Sequence, residues 1–118
     1  MTDVMSTHQL ELHPGVDTAA FEQFVTQDAL PVLQLPGTTL SLLKGDRGER
    51  QGAYLLLWEF DSIERRDHYF PTSDTVSEDA RQALQLAPAV LERWASFGVP
   101  PGQAVYTDYV VVEETTPQ

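Results

Sequence analysis

The sequence predicts an α+β domain with helices on one face of a four-stranded, mainly antiparallel sheet. Three observations carry this. Two-residue alternation and three-to-four-residue spacing follow one another in the order strand, helix, strand, strand, helices, strand. The segment GAYLLLWEFD is apolar on both sides, as a strand buried on both faces must be. The chain has 118 residues and no cysteine, so its core must form without staples, which a domain of this length can do. A single domain over 1–118 is expected, ordered over about 7–112, with polar tails at 1–6 and 113–118.

The first strand is read from His8 to His13, with His8, Leu10 and Leu12 on one side. Pro14-Gly15 ends it. Asp17 is the expected N-cap of a helix whose apolar face holds Phe21, Phe24, Val25, Ala29, Val32 and Leu33. Pro31 should kink that helix, because it cannot donate to the preceding turn. Thr38 to Leu43 is β-prone, and the polar KGDRGERQ segment reads as a hairpin loop.

In the third strand Tyr54, Leu56, Trp58 and Phe60 share one face, and Leu55 and Leu57 lie on the other. Ser62 caps a helix running to about Phe70, which Pro71 stops. A further helix is expected over Ser77 to Phe97, divided by Pro88 and closed by Gly98. Ala104 to Val112 forms the last strand, with Val105, Thr107, Tyr109 and Val111 opposite Tyr106, Asp108 and Val110.

Helices can cover only one face of such a sheet. The apolar residues of the third and fourth strands on the other face then call for burial against a second copy, and two-fold homodimers are the commonest solution. The net charge of −11 repels nucleic acid, whose binding rests on clustered Lys and Arg. The longest apolar run, Ala53 to Trp58, is far short of the roughly 20 residues that cross a bilayer. No basic start precedes an apolar run, so no signal peptide is read and a cytoplasmic location is expected.

With element order, the late-proline helix with its Pro36-Gly37 turn, and the run YLLLWEFDSIERRDHYFP in view, the chain resembles the dimeric α/β-barrel superfamily over about 7–112. That group includes antibiotic-biosynthesis-monooxygenase-like, EthD-like and NIPSNAP-like domains. The resemblance implies a ferredoxin-like β-α-β-β-α-β sandwich that pairs into a dimeric barrel. It also implies a proton-moving residue on the helix after the third strand. His68 or Tyr69 takes that place, one residue and about 100° of rotation apart.

The residues themselves offer little catalytic machinery. His8 and His13 stand five apart on the expected strand and so point to opposite faces, which argues against a shared metal. There is no HExxH, GxSxG or phosphate-loop motif. Glu59 and Asp61 form a pair at a strand end, where solvated carboxylates are common. Aromatic residues are more suggestive. Tyr54, Trp58, Phe60, Tyr69, Phe70 and Tyr109 can line an apolar pocket with polar tips, although core and dimer interface explain most of them.

The expected ligand contacts are His8, Tyr54, Trp58 and Tyr109, with no metal and no cofactor. Three functions stay open. One is a cofactor-independent, monooxygenase-like enzyme acting on a small aromatic or polyketide-like molecule. Another is a non-catalytic dimeric ligand-binding or interaction domain. The third is a haem-binding protein, which the resemblance alone suggests.

Overall fold

Strand β1 (Val4–Leu10) lies at the centre of the sheet in the computed structural model, which describes residues 2–115 and 117. It pairs antiparallel with β3 (Tyr54–Phe60) on one side and with β4 (Val105–Val110) on the other; β2 (Thr38–Lys44) pairs antiparallel with β3. The sheet order is therefore β2-β3-β1-β4.

The first strand begins earlier than the sequence pattern suggests. Val4 and Ser6 extend the alternation of His8 and Leu10, and Val4 is fully buried, so this part of the expected tail is structural. Met1, Thr116 and Gln118 of the two expected tails lie outside the described residues. The strand also ends sooner, at Leu10. His13 is off the strand, and its Nε2 instead meets the Ala95 carbonyl at 3.0 Å.

Helix α1 (Thr18–Phe24) starts as expected, the Asp17 carboxylate accepting from the Ala19 and Ala20 amides at 3.1 and 3.2 Å. It widens into a π turn over Val25–Ala29, where the Leu30 amide reaches back to the Val25 carbonyl, and tightens again over Leu30–Val32. Pro31 supplies the reason, since it cannot donate and its ring crowds the turn before it. Helix α2 (Ile63–Tyr69) is capped by Ser62.

The long helix expected over Ser77–Phe97 is two helices, α3 (Glu78–Ala83) and α4 (Pro88–Phe97). Pro88 is the first residue of α4, a position where its missing N–H costs nothing. Gly98 caps α4 in an extended conformation, φ 171°, not the left-handed one usual for a terminal glycine. Here the requirement is close approach: a Cβ would lie 2.8 Å from Leu12 Cα and strike the Glu11 carbonyl.

All four helices pack on one sheet face, forming two clusters. One gathers Leu10, Phe21, Phe24, Tyr54, Leu56, Trp94 and Phe97. The other gathers Val4, Leu35, Phe60, Tyr69 and Ala80. The opposite face, which carries Met5, Leu43, Leu55, Leu57, Val105 and Tyr109, has no helix over it; Val105 and Tyr109 are 68% and 57% exposed. No helix among the described residues is long and apolar enough to cross a membrane.

Candidate functional site

Between the two clusters the helix-covered face of the sheet turns polar. Ser6 and His8 are two residues apart on β1 and so share that face. Register places Trp58 and Asp108 on either side of Ser6, and Leu56 and Tyr106 on either side of His8. Ser6 Oγ and His8 Nε2 form a hydrogen bond of 3.0 Å. Tyr106 stacks on the imidazole with centroids 5.5 Å apart.

Two polar atoms in this seam, His8 Nδ1 and Trp58 Nε1, are closed off from solvent and have no hydrogen-bond partner among the described residues. Buried polar groups are nearly always paired, so each exception needs an explanation. Burial pushes the His8 imidazole below its ordinary value of 6.5, and the Asp108 charge only partly opposes this. The ring is therefore neutral near pH 7 and able to accept a proton.

The seam is walled by β4 and α2. Arg66 reaches from α2 to Asp108 of β4 (Nη1 to Oδ2, 2.9 Å), while its Nε donates to Asp67 at 2.8 Å. Tyr106 donates its hydroxyl to the Ser73 carbonyl at 3.2 Å, tying β4 to the loop after α2. Trp58 packs against Phe60 and Phe70 with centroids 6.0 Å away in each case.

The residues expected at the site are not all together. His8 and Trp58 are. Tyr54 is part of the core, and its hydroxyl donates to the Glu22 carboxylate, holding that acid below the ordinary carboxylate range. Tyr109 lies on the other face of the sheet and cannot share a pocket with Trp58. Tyr69 is buried, its hydroxyl spent on the Pro36 carbonyl at 2.8 Å. The His68 side chain is 61% exposed and meets Asp79 at 3.4 Å. Of the two candidates on α2, Tyr69 thus faces inward and His68 outward. Haem does not fit at His68, because an iron-ligating histidine needs an enclosed apolar cavity.

Solved structures resemble the chain, two of them as follows. A NIPSNAP-like domain protein from Burkholderia xenovorans superposes with a TM-score of 0.60 at 13% identity, covering 97% of this chain and 89% of that one. A putative antibiotic biosynthesis monooxygenase from Bacillus cereus superposes with a TM-score of 0.50 at 13% identity, covering 100% and 99%. The fold is ferredoxin-like. No family model matches the sequence, and no curated protein does. At this identity the likeness establishes the ferredoxin-like architecture alone.

Two surface depressions of this ferredoxin-like domain lie elsewhere. One, of about 310 Å³, is lined by Thr2, Gly37, Thr38, Thr39, Glu59 and Asp61. A wider one, of about 690 Å³, runs beside β2 past Leu30, Leu33, Leu35 and Leu40. Both are open to solvent, and neither is lined by a buried unpartnered polar atom among the described residues. The closed seam therefore carries the stronger chemical argument. Sequence reasoning missed Ser6, Arg66, Tyr106 and Asp108 as members of it. A signal for Ser6 does exist: continuing the alternation of His8 and Leu10 backward by two residues puts it on the same face.

Proposed function

We propose that this domain binds a small hydrophobic or aromatic molecule in the His8–Trp58 seam and oxidises it without a cofactor, in the manner of a monooxygenase. The observation that carries the reading is the pair of buried, unpartnered atoms, His8 Nδ1 and Trp58 Nε1, in a polar gap between two apolar clusters. The reaction class comes from the name of one structural neighbour. Trp58 Nε1, a donor only, would hold a substrate carbonyl or hydroxyl oxygen. His8 Nδ1 would take a proton from an activated methylene group, as a general base. The carbanion then reacts with O2: the methylene becomes a carbonyl, one oxygen atom is retained, and the other leaves as water.

The working form would be a homodimer joined through the uncovered face of the sheet. Support comes from its apolar residues on three strands, Leu43, Leu55, Leu57, Val105 and Tyr109, since contiguous exposed apolar residues mark interaction surfaces.

The test is oxygen uptake with a tricyclic aromatic ketone bearing an activated methylene group. Uptake above background, lost in His8→Gln and Trp58→Phe but kept in His68→Ala, is expected. Binding without uptake would leave a ligand-binding domain; loss in His68→Ala with His8→Gln unaffected would move the site to α2.

A further inference from the structure

A guanidinium beside a ligand seam would ordinarily mark the ligand as an anion, because Arg pairs with carboxylates through two parallel hydrogen bonds. Here two of its donors already meet carboxylates. Asp67 holds Nε of Arg66 at 2.8 Å and Asp108 holds Nη1 at 2.9 Å, and the Arg66 side chain is only 20% exposed. One cation thus faces two carboxylates, and His8 adds no positive charge near pH 7. The chain's net charge of −11 acts in the same direction. The two buried seam atoms without a partner among the described residues are uncharged: one indole donor and one imidazole nitrogen.

We propose that the seam selects uncharged ligands, and that Asp108 is the specificity-determining residue, because it occupies the edge of Arg66 that would otherwise take a carboxylate. This rests on the reading of the seam as the ligand site. Asp108 is placed for the role by register. It stands opposite Ser6 on β4 and faces the helices, so its carboxylate projects toward α2. Asp67 is next to Arg66 on α2 and engages the Nε edge, so removing Asp108 leaves the Nη edge free while the side chain stays anchored.

The experiment compares two probes on the same ring system, 2-naphthol and 2-naphthoate, by calorimetric titration near pH 7. Salt is set at about 0.15 M, where charges beyond a Debye length of about 8 Å are largely screened. The wild-type protein is expected to bind 2-naphthol and to bind 2-naphthoate at least tenfold more weakly. In Asp108→Asn the naphthoate-to-naphthol affinity ratio should rise about tenfold or more, the usual worth of a hydrogen bond to a charged group. Asp108→Ser carries the same expectation should the asparagine variant fold poorly. Adding Arg66→Gln to either variant should abolish the gain, which shows that the guanidinium supplies it.

Equal binding of both probes by the wild-type protein overturns the selectivity and leaves the site standing. So does a ratio that stays within threefold in both Asp108 variants. Failure of both probes to bind the wild-type protein overturns the site itself, and the inference with it.

Discussion

The domain has two tryptophans, and each hides an indole N–H without a partner. Trp94 sits in the aromatic end of the core, with Phe21 and Phe24 edge-on to it at 6.1 and 5.6 Å and no exposed surface. Trp58 sits in the middle of the same sheet face, directly across from Ser6 and beside the Ser6–His8 pair. In the first setting the rings packed on the indole are those of Phe21 and Phe24, and the lost hydrogen bond is the cost of a large apolar side chain well packed. In the second, an indole N–H and an imidazole nitrogen are left over together, which packing alone does not require. An orphaned group is informative about function only when its neighbours are polar too.

Truncation separates the two most sharply. Trp94→Ala is expected to cost about 3–5 kcal/mol, because it removes the centre of a cluster that cannot collapse around the gap. Trp58→Phe should change stability by no more than about 1.5 kcal/mol, since the lost volume is offset by removing a buried unpaired donor. Chemical denaturation of the two variants measures both. A Trp58→Phe loss as large as that of Trp94→Ala would make the seam ordinary core.

The uncovered face of the sheet offers the next largest effect. Leu57 points away from the helices, beside Thr7 of β1 and Ser41 of β2. Leu57→Asp should convert a dimer to a monomer, read by light scattering on a sizing column, because an unpaired charge would be buried between the copies. A wild-type monomer, or a variant that remains dimeric, would detach this face from assembly.

A smaller effect follows from His8. Its pKa is lowered by burial, so between the folded value and 6.5 the unfolded chain binds more protons than the folded one. The contribution is therefore fully present above about pH 6.5 and is lost as the pH falls through the folded value. His8→Gln should flatten the acid limb of the stability profile across that window, measured by denaturant midpoints from about pH 7.5 to 5. An unchanged slope would mean the imidazole is not held neutral.

Most of the sheet is legible in the order of the amino acids. The alternation of Tyr54, Leu56, Trp58 and Phe60, the Asp17 and Ser62 caps and the faces of β4 all follow from local pattern, and local pattern decides them. The site is less legible because it is assembled across strands. Asp108 and Arg66 are 42 residues apart and meet only through register and the reach of α2. Ser6 escapes notice because the polar residues around it mask the true start of β1, which lies four residues before His8. Tyr109 is aromatic like the seam residues, but the period of two puts it on the far face, and no count of aromatics reveals that without the pairing. His68 and Tyr69 illustrate the same point on a helix: one residue decides between the Asp79 carboxylate in solvent and the Pro36 carbonyl in the core.

The smallest expected effect concerns access. Tyr106 covers His8 with its ring and is tethered by one hydrogen bond to the Ser73 carbonyl. The loop it holds is closed on itself, with Thr72 and Thr75 bonded to each other at 2.9 Å. Tyr106→Phe keeps the stacked ring and removes only the tether, an expected loss of about 0.5–1.5 kcal/mol of stability. If the tether gates the seam, the variant should also take up 2-naphthol faster in stopped-flow fluorescence. A hydrogen bond of that worth held shut by equilibrium opening corresponds to a rate gain of roughly two- to tenfold. Slower uptake, or the same rate with the stability loss present, would mean that ligands reach His8 by another path.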